Sequence, residues 1–152
     1  MNFILVVCIG NICRSPMAEG LLSRALPGLR VESAGIGALI GHKADPTAIA
    51  LMKEIGIDIH THVARQINQS LCLQADLVLV MDVEQKRYIE SRYPSAVGKV
   101  YLLTESLKRG VPDPYRKDRS NFEIALSLID QGAKSWIAKI EKVNARKSSK
   151  VT

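Results

Sequence analysis

The 152-residue chain has little of what most specialised classes require. Three cysteines, in a chain with no secretory features, do not make a disulfide framework. Two Phe, four Tyr and one Trp leave no basic–aromatic stacking platform for single-stranded nucleic acid. The longest apolar run, from Phe3 to Ile9, falls far short of the roughly 20 residues of a membrane-spanning helix. No basic lead-in precedes it as in a signal peptide. A cytoplasmic protein without stable membrane insertion is expected. Of the three histidines, His60 and His62 would share a side of an extended segment, but two ligands make no metal site. No metal or cofactor is expected. The chain shows no internal repeat and no low-complexity tract. Its 47% hydrophobic and 24% charged residues exclude disordered and collagen-like classes.

The net charge of +6 invites a nucleic-acid reading, but its distribution opposes one. From Lys139 to Thr152 there are five Lys/Arg and one acidic residue, so most of the excess sits in one terminal stretch. Such an end reads as a solvated tail. The expectation is a domain over 1–144, a basic mobile tail over 145–152, and no nucleic-acid partner.

Strand and helix signals alternate, which predicts an α/β fold: a single-domain, doubly wound, four-stranded parallel sheet with helices on both faces. Phe3 to Val7 reads as a strand buried on both sides. Ser15 as N-cap and Pro16 at the first helical position open a helix in which Met17, Leu21, Leu22, Ala25 and Leu26 keep helical spacing, and Pro27-Gly28 ends it. Leu29 to Ala34 is a second strand. Asp45-Pro46 repeats the cap-then-proline signal before a helix burying Ala48, Leu51, Met52 and Ile55. Leu77 to Met81 is a third strand, and Asp82 with Gln85 a reciprocal cap. Val100 to Leu103 is a fourth strand. Ser120 and Glu123 form a further capping box before a long helix burying Phe122, Ala125, Leu126, Ile129, Trp136, Ile137 and Ile140. Cys72 reads as a buried helix cysteine. Ligands of such sheets sit beyond the carboxyl ends of the strands, near the topological switch point.

The first of those loops is Cys8-Ile9-Gly10-Asn11-Ile12-Cys13-Arg14-Ser15. It leaves a buried strand and ends at a helix N-terminus, where free amides and the helix dipole favour anions. Such a loop wraps a tetrahedral dianion with the N–H groups of Ile9, Gly10, Asn11, Ile12, Cys13 and Arg14. Gly10 and Asn11 tolerate the positive-φ backbone that the wrap requires. Arg14 supplies a planar fork for two phosphate oxygens. The same surroundings stabilise a thiolate on Cys8, a nucleophile aimed at phosphorus without a histidine base. Ser15 both caps the helix and donates to the departing thiolate. Cys-x5-Arg alone is a weak pattern; between a buried strand and a capped helix it is specific. Ester cleavage also needs an acid for the leaving oxygen. Pro112-Asp113-Pro114-Tyr115, beyond the fourth strand, holds Asp113 in a stiffened loop. Asp118 is the rival carboxylate, in a looser charged stretch.

Cys8 through Pro16 together with Asp113-Pro114-Tyr115 resembles the low-molecular-weight protein tyrosine phosphatase family. Glu32-Ser33-Ala34-Gly35, His62 through Ile67 and Val80-Met81-Asp82 extend the resemblance, which spans roughly Met1 to Lys142. It implies that Cys8 forms a phosphocysteine intermediate, that Arg14 clamps phosphate and that Asp113 acts as general acid, then base. Asn11, Ser15, Ser33 and His62 match a hydrogen-bond network supporting the loop. Cys13 matches a second loop cysteine that pairs with Cys8 as a protective disulfide. Leu39 and Tyr115 match the substrate rim. The sequence is most similar to the bacterial branch associated with exopolysaccharide tyrosine kinases, which implies a phosphotyrosine protein partner, an autophosphorylated kinase tail. Arg116 and Lys117 would favour an acidic phosphopeptide.

Rival chemistries fit less well. Thioredoxin-coupled arsenate reductases of this fold need two further cysteines, and only Cys72 is left. Related protein-arginine phosphatases carry threonine where this chain has Ile9. A phosphocysteine carrier of sugar transport needs neither Asp113 nor Arg14.

Overall fold

A computed structural model describes the backbone of Met1–Val151 and the side chains as far as Ser148. Four strands, β1 (Phe3–Cys8), β2 (Arg30–Gly35), β3 (Leu77–Val80) and β4 (Val100–Leu102), form one parallel sheet in the order β2-β1-β3-β4. The chain runs from β1 outward to β2, then crosses back to β3. The order therefore reverses at the carboxyl end of β1, and the Cys8–Ser15 loop leaves the sheet there.

Burial on both sides follows from strand alternation. Ile4, Val6 and Cys8 belong to one apolar cluster, with Met17, Leu22, Met52, Phe122 and Ile129. Phe3, Leu5 and Val7 belong to the other, with Leu71, Cys72, Val80 and Ile89. The first cluster is covered by α1 (Arg14–Ala25), α2 (Pro46–Glu54) and α5 (Arg119–Val151), the second by α3 (Gln69–Gln74) and α4 (Val83–Arg92). The doubly wound, four-stranded parallel architecture with helices on both faces is as the sequence pattern predicts. Among the described residues no helix is long and apolar enough to cross a membrane.

Several local expectations need correction. Helix α1 starts at Arg14 with Cys13 in the cap position and no side-chain cap. Ser15 is already inside the first turn, its hydroxyl held by Cys8 and Asn11, so it is not the N-cap. The Asp45 cap does form, accepting from Thr47 N, but Ile55 is 44% exposed because the helix ends one residue before it. Asp82 accepts from Gln85 N, while the Gln85 side chain reaches Met81 N, one residue short of a reciprocal box. Helix α5 is opened by Asp118, which takes hydrogen bonds from Ser120 Oγ and Asn121 Nδ2. Glu123 pairs instead with Arg119, so the Ser120–Glu123 box is absent. Besides these corrections, the backbone of α5 continues through 145–151, since Ala, Arg and Lys are good helix formers; Thr152, the end of the expected basic tail, lies outside the described residues.

Candidate active site

The Cys8–Arg14 loop is anchored through its carbonyls. Those of Cys8, Ile9 and Gly10 accept from the N–H groups of Ile36, Gly37 and Leu39, and that of Ile12 from Asp45. Asn11 O accepts from His62 Nε2 at 2.7 Å; because a carbonyl only accepts, this bond fixes the proton on that nitrogen. Cys13 O takes the first helical bond, from Met17. The N–H groups of Ile9, Gly10, Asn11, Ile12, Cys13 and Arg14, by contrast, find no acceptor among the described residues. Six consecutive donors at a helix N-terminus constitute a pre-formed anion cradle.

Asn11 makes the wrap possible. It is the one residue in the loop with positive φ, 59°; Gly10, expected to share that role, does not. The conformation is costly for a residue with a side chain, and Asn11 is fully buried. Three hydrogen bonds hold it: Nδ2 donates to Ser15 Oγ at 2.8 Å and to Ser33 Oγ at 3.0 Å, and Oδ1 accepts from Arg65 N at 2.9 Å. With Ser15 Oγ already accepting from Asn11, its own proton is free for Cys8 Sγ, 2.9 Å away. The proposed support residues Asn11, Ser15, Ser33 and His62 therefore form one connected network ending on the cysteine sulfur.

Arg14, at the loop's end, is 2% exposed. Its Nη1 donates to Val111 O at 2.8 Å, and its Nη2 lies 3.6 Å from Asp113 Oδ2. Its Nε is buried with no partner among the described residues. One arm thus ties the loop to the Asp113 segment, leaving Nε and Nη2 as the fork for an oxyanion. Asp113 keeps 42% of its side chain exposed, and its Oδ1 accepts from Tyr115 N at 3.1 Å.

These groups surround a cavity of about 200 Å³ lined by Cys8, Ile9, Gly10, Ile12, Cys13, Arg14, Gly37, Leu39, Asp113 and Tyr115. Every residue expected at the cysteine, arginine, acid and rim positions is present. Asn11, Ser15, Ser33 and His62 lie behind the cavity rather than in it, as their bonding requires. The rival Asp118 is not in the lining, and its hydrogen bonds to Ser120 and Asn121 hold its carboxyl below the usual range. His60 pairs with Asp58, while His62 turns to Asn11, so the two imidazoles do not converge. Among the described residues no cluster of three metal-ligating side chains occurs.

The two loop cysteines differ. Burial pushes the Cys13 thiol well above its ordinary range, aided by the negative charge of Asp45; it stays a neutral thiol at physiological pH and does not compete as a nucleophile. Both Cys8 and Cys13 are free.

Sequence reasoning missed further contributors. Arg65 donates from Nε to Ser33 O and from Nη2 to Glu32 Oε1, besides its N–H on Asn11. Gln66 braces the rim turn, accepting from Ala38 N and donating to Ile36 O. Gly35 is required by space: a Cβ there would stand 2.4 Å from Ile9 O. Glu19, on α1, has its carboxyl raised by burial against the opposing pull of Ser33, His62 and Arg65. The motif stretches 32–35 and 62–67 contain all but Glu19, yet only Ser33 and His62 had an assigned part.

The family model for low molecular weight phosphotyrosine protein phosphatases matches residues 3–147. This chain belongs to that family. A probable low molecular weight protein-tyrosine-phosphatase of Ralstonia solanacearum, EpsP, is 54% identical over 137 residues, covering 90% of this chain and 94% of that protein. Wzb of Vibrio vulnificus, solved in complex with benzylphosphonate, has the same fold with a TM-score of 0.88 at 42% identity, over 91% of this chain and 98% of its own. The YwlE arginine phosphatase of Geobacillus stearothermophilus superposes equally well, with a TM-score of 0.89 over 96% and 97% of the two chains, but at 31% identity. Fold alone does not separate a tyrosine phosphatase from an arginine phosphatase; the residues at the cavity mouth have to.

Proposed function

We propose that this family member hydrolyses phosphotyrosine in proteins through a phosphocysteine intermediate on Cys8. The observation that carries the reading is the juxtaposition, in one cavity, of Cys8, the Arg14 fork, six loop amides with no acceptor among the described residues and the Asp113 carboxyl. The phosphoryl oxygens sit in the cradle of Ile9 to Arg14. Cys8 Sγ attacks phosphorus and the P–O bond to the phenol breaks, the leaving oxygen taking the proton of Asp113. Asp113, now a carboxylate, removes a proton from water as the water oxygen attacks phosphorus, the S–P bond breaks, and phosphate leaves with the thiolate restored. The Ser15 hydroxyl, oriented by Asn11, donates to that thiolate. The cradle stabilises the equatorial charge of both transition states without reorganising.

Leu39 and Tyr115 form the rim against the substrate ring. Ile9, 46% exposed, favours an aryl group where related arginine phosphatases carry threonine. A benzyl phosphonate, the ligand solved with the Vibrio relative, has the shape of the phosphotyrosine tip. The partner is an autophosphorylated bacterial tyrosine kinase of polysaccharide export, met in the cytoplasm. On peroxide exposure, Cys8 becomes a sulfenic acid and the Cys13 thiol condenses with it, releasing water and protecting the sulfur.

The test is hydrolysis of a phosphotyrosine peptide, without metal, by wild type, Cys8→Ser and Asp113→Asn, with a phosphoarginine peptide alongside. Turnover of phosphotyrosine that Cys8→Ser abolishes and Asp113→Asn strongly reduces is expected. Preference for phosphoarginine, or no turnover by the reduced enzyme, would overturn the reading.

A further inference from the structure

Beside the phosphate cavity lies a second hollow of about 390 Å³ that shares Ile9 and Gly37 with it. Ile9 is the ridge between the two. Neither Asp113 nor Tyr115 lines the second hollow, so a substrate entering it passes over the ridge and away from the acid loop. Its walls are Ile9, Ile36 and the half-exposed ring of Tyr88, and Asp82 and Glu84 add two carboxylates. Gln85 also lines it; that side chain is 4% exposed, its Oε1 is taken by Met81 N, and its Nε2 has no partner among the described residues. The cations next to it in sequence line a different hollow. Lys86 sits over the Tyr101 ring, and Lys86 and Arg87 line a separate hollow with Lys108 and Arg109.

We infer that this hollow is a substrate subsite for a lysine or arginine flanking the phosphotyrosine, an assignment that rests on the phosphatase reading above. Two of its features match one residue class, and the third fits the backbone of any extended peptide. An aliphatic stem lies along Ile9, Ile36 and Tyr88, as long basic side chains cover apolar surface. The cationic head meets Asp82 and Glu84, a complementarity that sets specificity more than raw affinity. A main-chain carbonyl of the peptide supplies the acceptor that Gln85 Nε2 lacks, relieving a buried unsatisfied donor. With Arg116 and Lys117 beyond Tyr115, the mouth is electrically two-sided. A peptide with a base on the Ile9 side and acids on the Tyr115 side is bound in one direction.

The experiment is a set of phosphotyrosine peptides on a neutral scaffold, each carrying Lys, Ala or Glu at one position flanking the phosphotyrosine. Each is turned over by wild type, Glu84→Lys and Tyr88→Ala, with p-nitrophenyl phosphate as a small substrate that does not reach the hollow. At one flanking position Lys should exceed Glu by about three- to five-fold in kcat/KM, through KM, and the preference should shrink with added salt. Glu84→Lys should reverse it and Tyr88→Ala weaken it, both leaving p-nitrophenyl phosphate turnover unchanged. Normal turnover of the small ester with no Lys preference at any position, or a preference indifferent to Glu84→Lys, would overturn the subsite alone. Failure of wild type on the small ester and on every peptide would overturn the phosphatase reading itself.

Discussion

The two segments that meet at the cavity are built in opposite ways. The Cys8–Arg14 loop has every carbonyl from Cys8 to Cys13 tied to the scaffold, and Asn11, Cys8, Arg14 and Ser15 are buried at 0–2% exposure. The Asp113 segment is anchored at its base, where Val111 N bonds Met81 O and Val111 O accepts from Arg14. Beyond that it is open: Pro112, Tyr115, Arg116 and Lys117 are exposed, and Arg116 sits at φ 62° with its guanidinium 5.3 Å from the Tyr115 ring. The difference matches the work proposed for each. Stabilising a phosphoryl transition state requires donors that do not reorganise. A proton donor and an aromatic rim must admit a bulky substrate and release it, which suits an exposed loop on a fixed base.

Substitutions in the two segments should therefore fail differently. The largest effect is expected from Cys8→Ser, which keeps the cradle and removes the proposed nucleophile; turnover should fall by roughly 10⁴-fold or more with Tm nearly unchanged, by steady-state kinetics and thermal melting. Asp113→Asn should cost about 10²- to 10³-fold in kcat on an ester with a poor leaving group, and much less when the leaving phenol is acidic. Asn11→Ala strikes the cradle's support. It leaves a left-handed residue without its three hydrogen bonds, so a stability loss of about 2–3 kcal/mol in denaturant titration should accompany lost activity. Tyr115→Ala, by contrast, should raise KM for aryl phosphates while stability stays within about 0.5 kcal/mol. An Asn11→Ala enzyme as stable as wild type would break the contrast between a rigid cradle and an open rim.

The smallest effect concerns pH. Glu19 is raised by burial, so above the unfolded carboxylate value the native state holds more protons than the unfolded one, and stability falls as pH rises through that window. Glu19→Gln should gain in Tm relative to wild type between about pH 4.5 and 7.5. An equal Tm difference at the two pH values would contradict this.

The cradle was more legible in the sequence than its supports, for a physical reason. Its residues are consecutive, and each type is dictated by a local need: a terminal strand residue, amides at a helix start, an arginine at fixed reach. The sheet was legible for the same reason, because runs such as Leu77 to Val80 carry their burial in their own composition. Supports that act across the sheet leave no local trace. Arg65 reaches Asn11, Ser33 and Glu32 from 32 to 54 residues away, and Glu19 reads as an ordinary helix residue. Caps were misplaced where a side chain had a stronger tertiary partner: Ser15 was taken by Cys8 and Asn11, Glu123 by Arg119. The φ of 59° fell to Asn11 rather than Gly10 because only Asn has side-chain atoms with which to lock that conformation.

The most direct test of the central claim is to quench the wild-type enzyme with acid during turnover of a phosphotyrosine peptide and locate the bound phosphoryl group by mass spectrometry. A phosphoryl group on the Cys8 peptide, absent in Cys8→Ser, is the predicted result. A phosphoryl group on any other side chain, or turnover that persists in Cys8→Ser, would contradict a cradle built around a cysteine nucleophile.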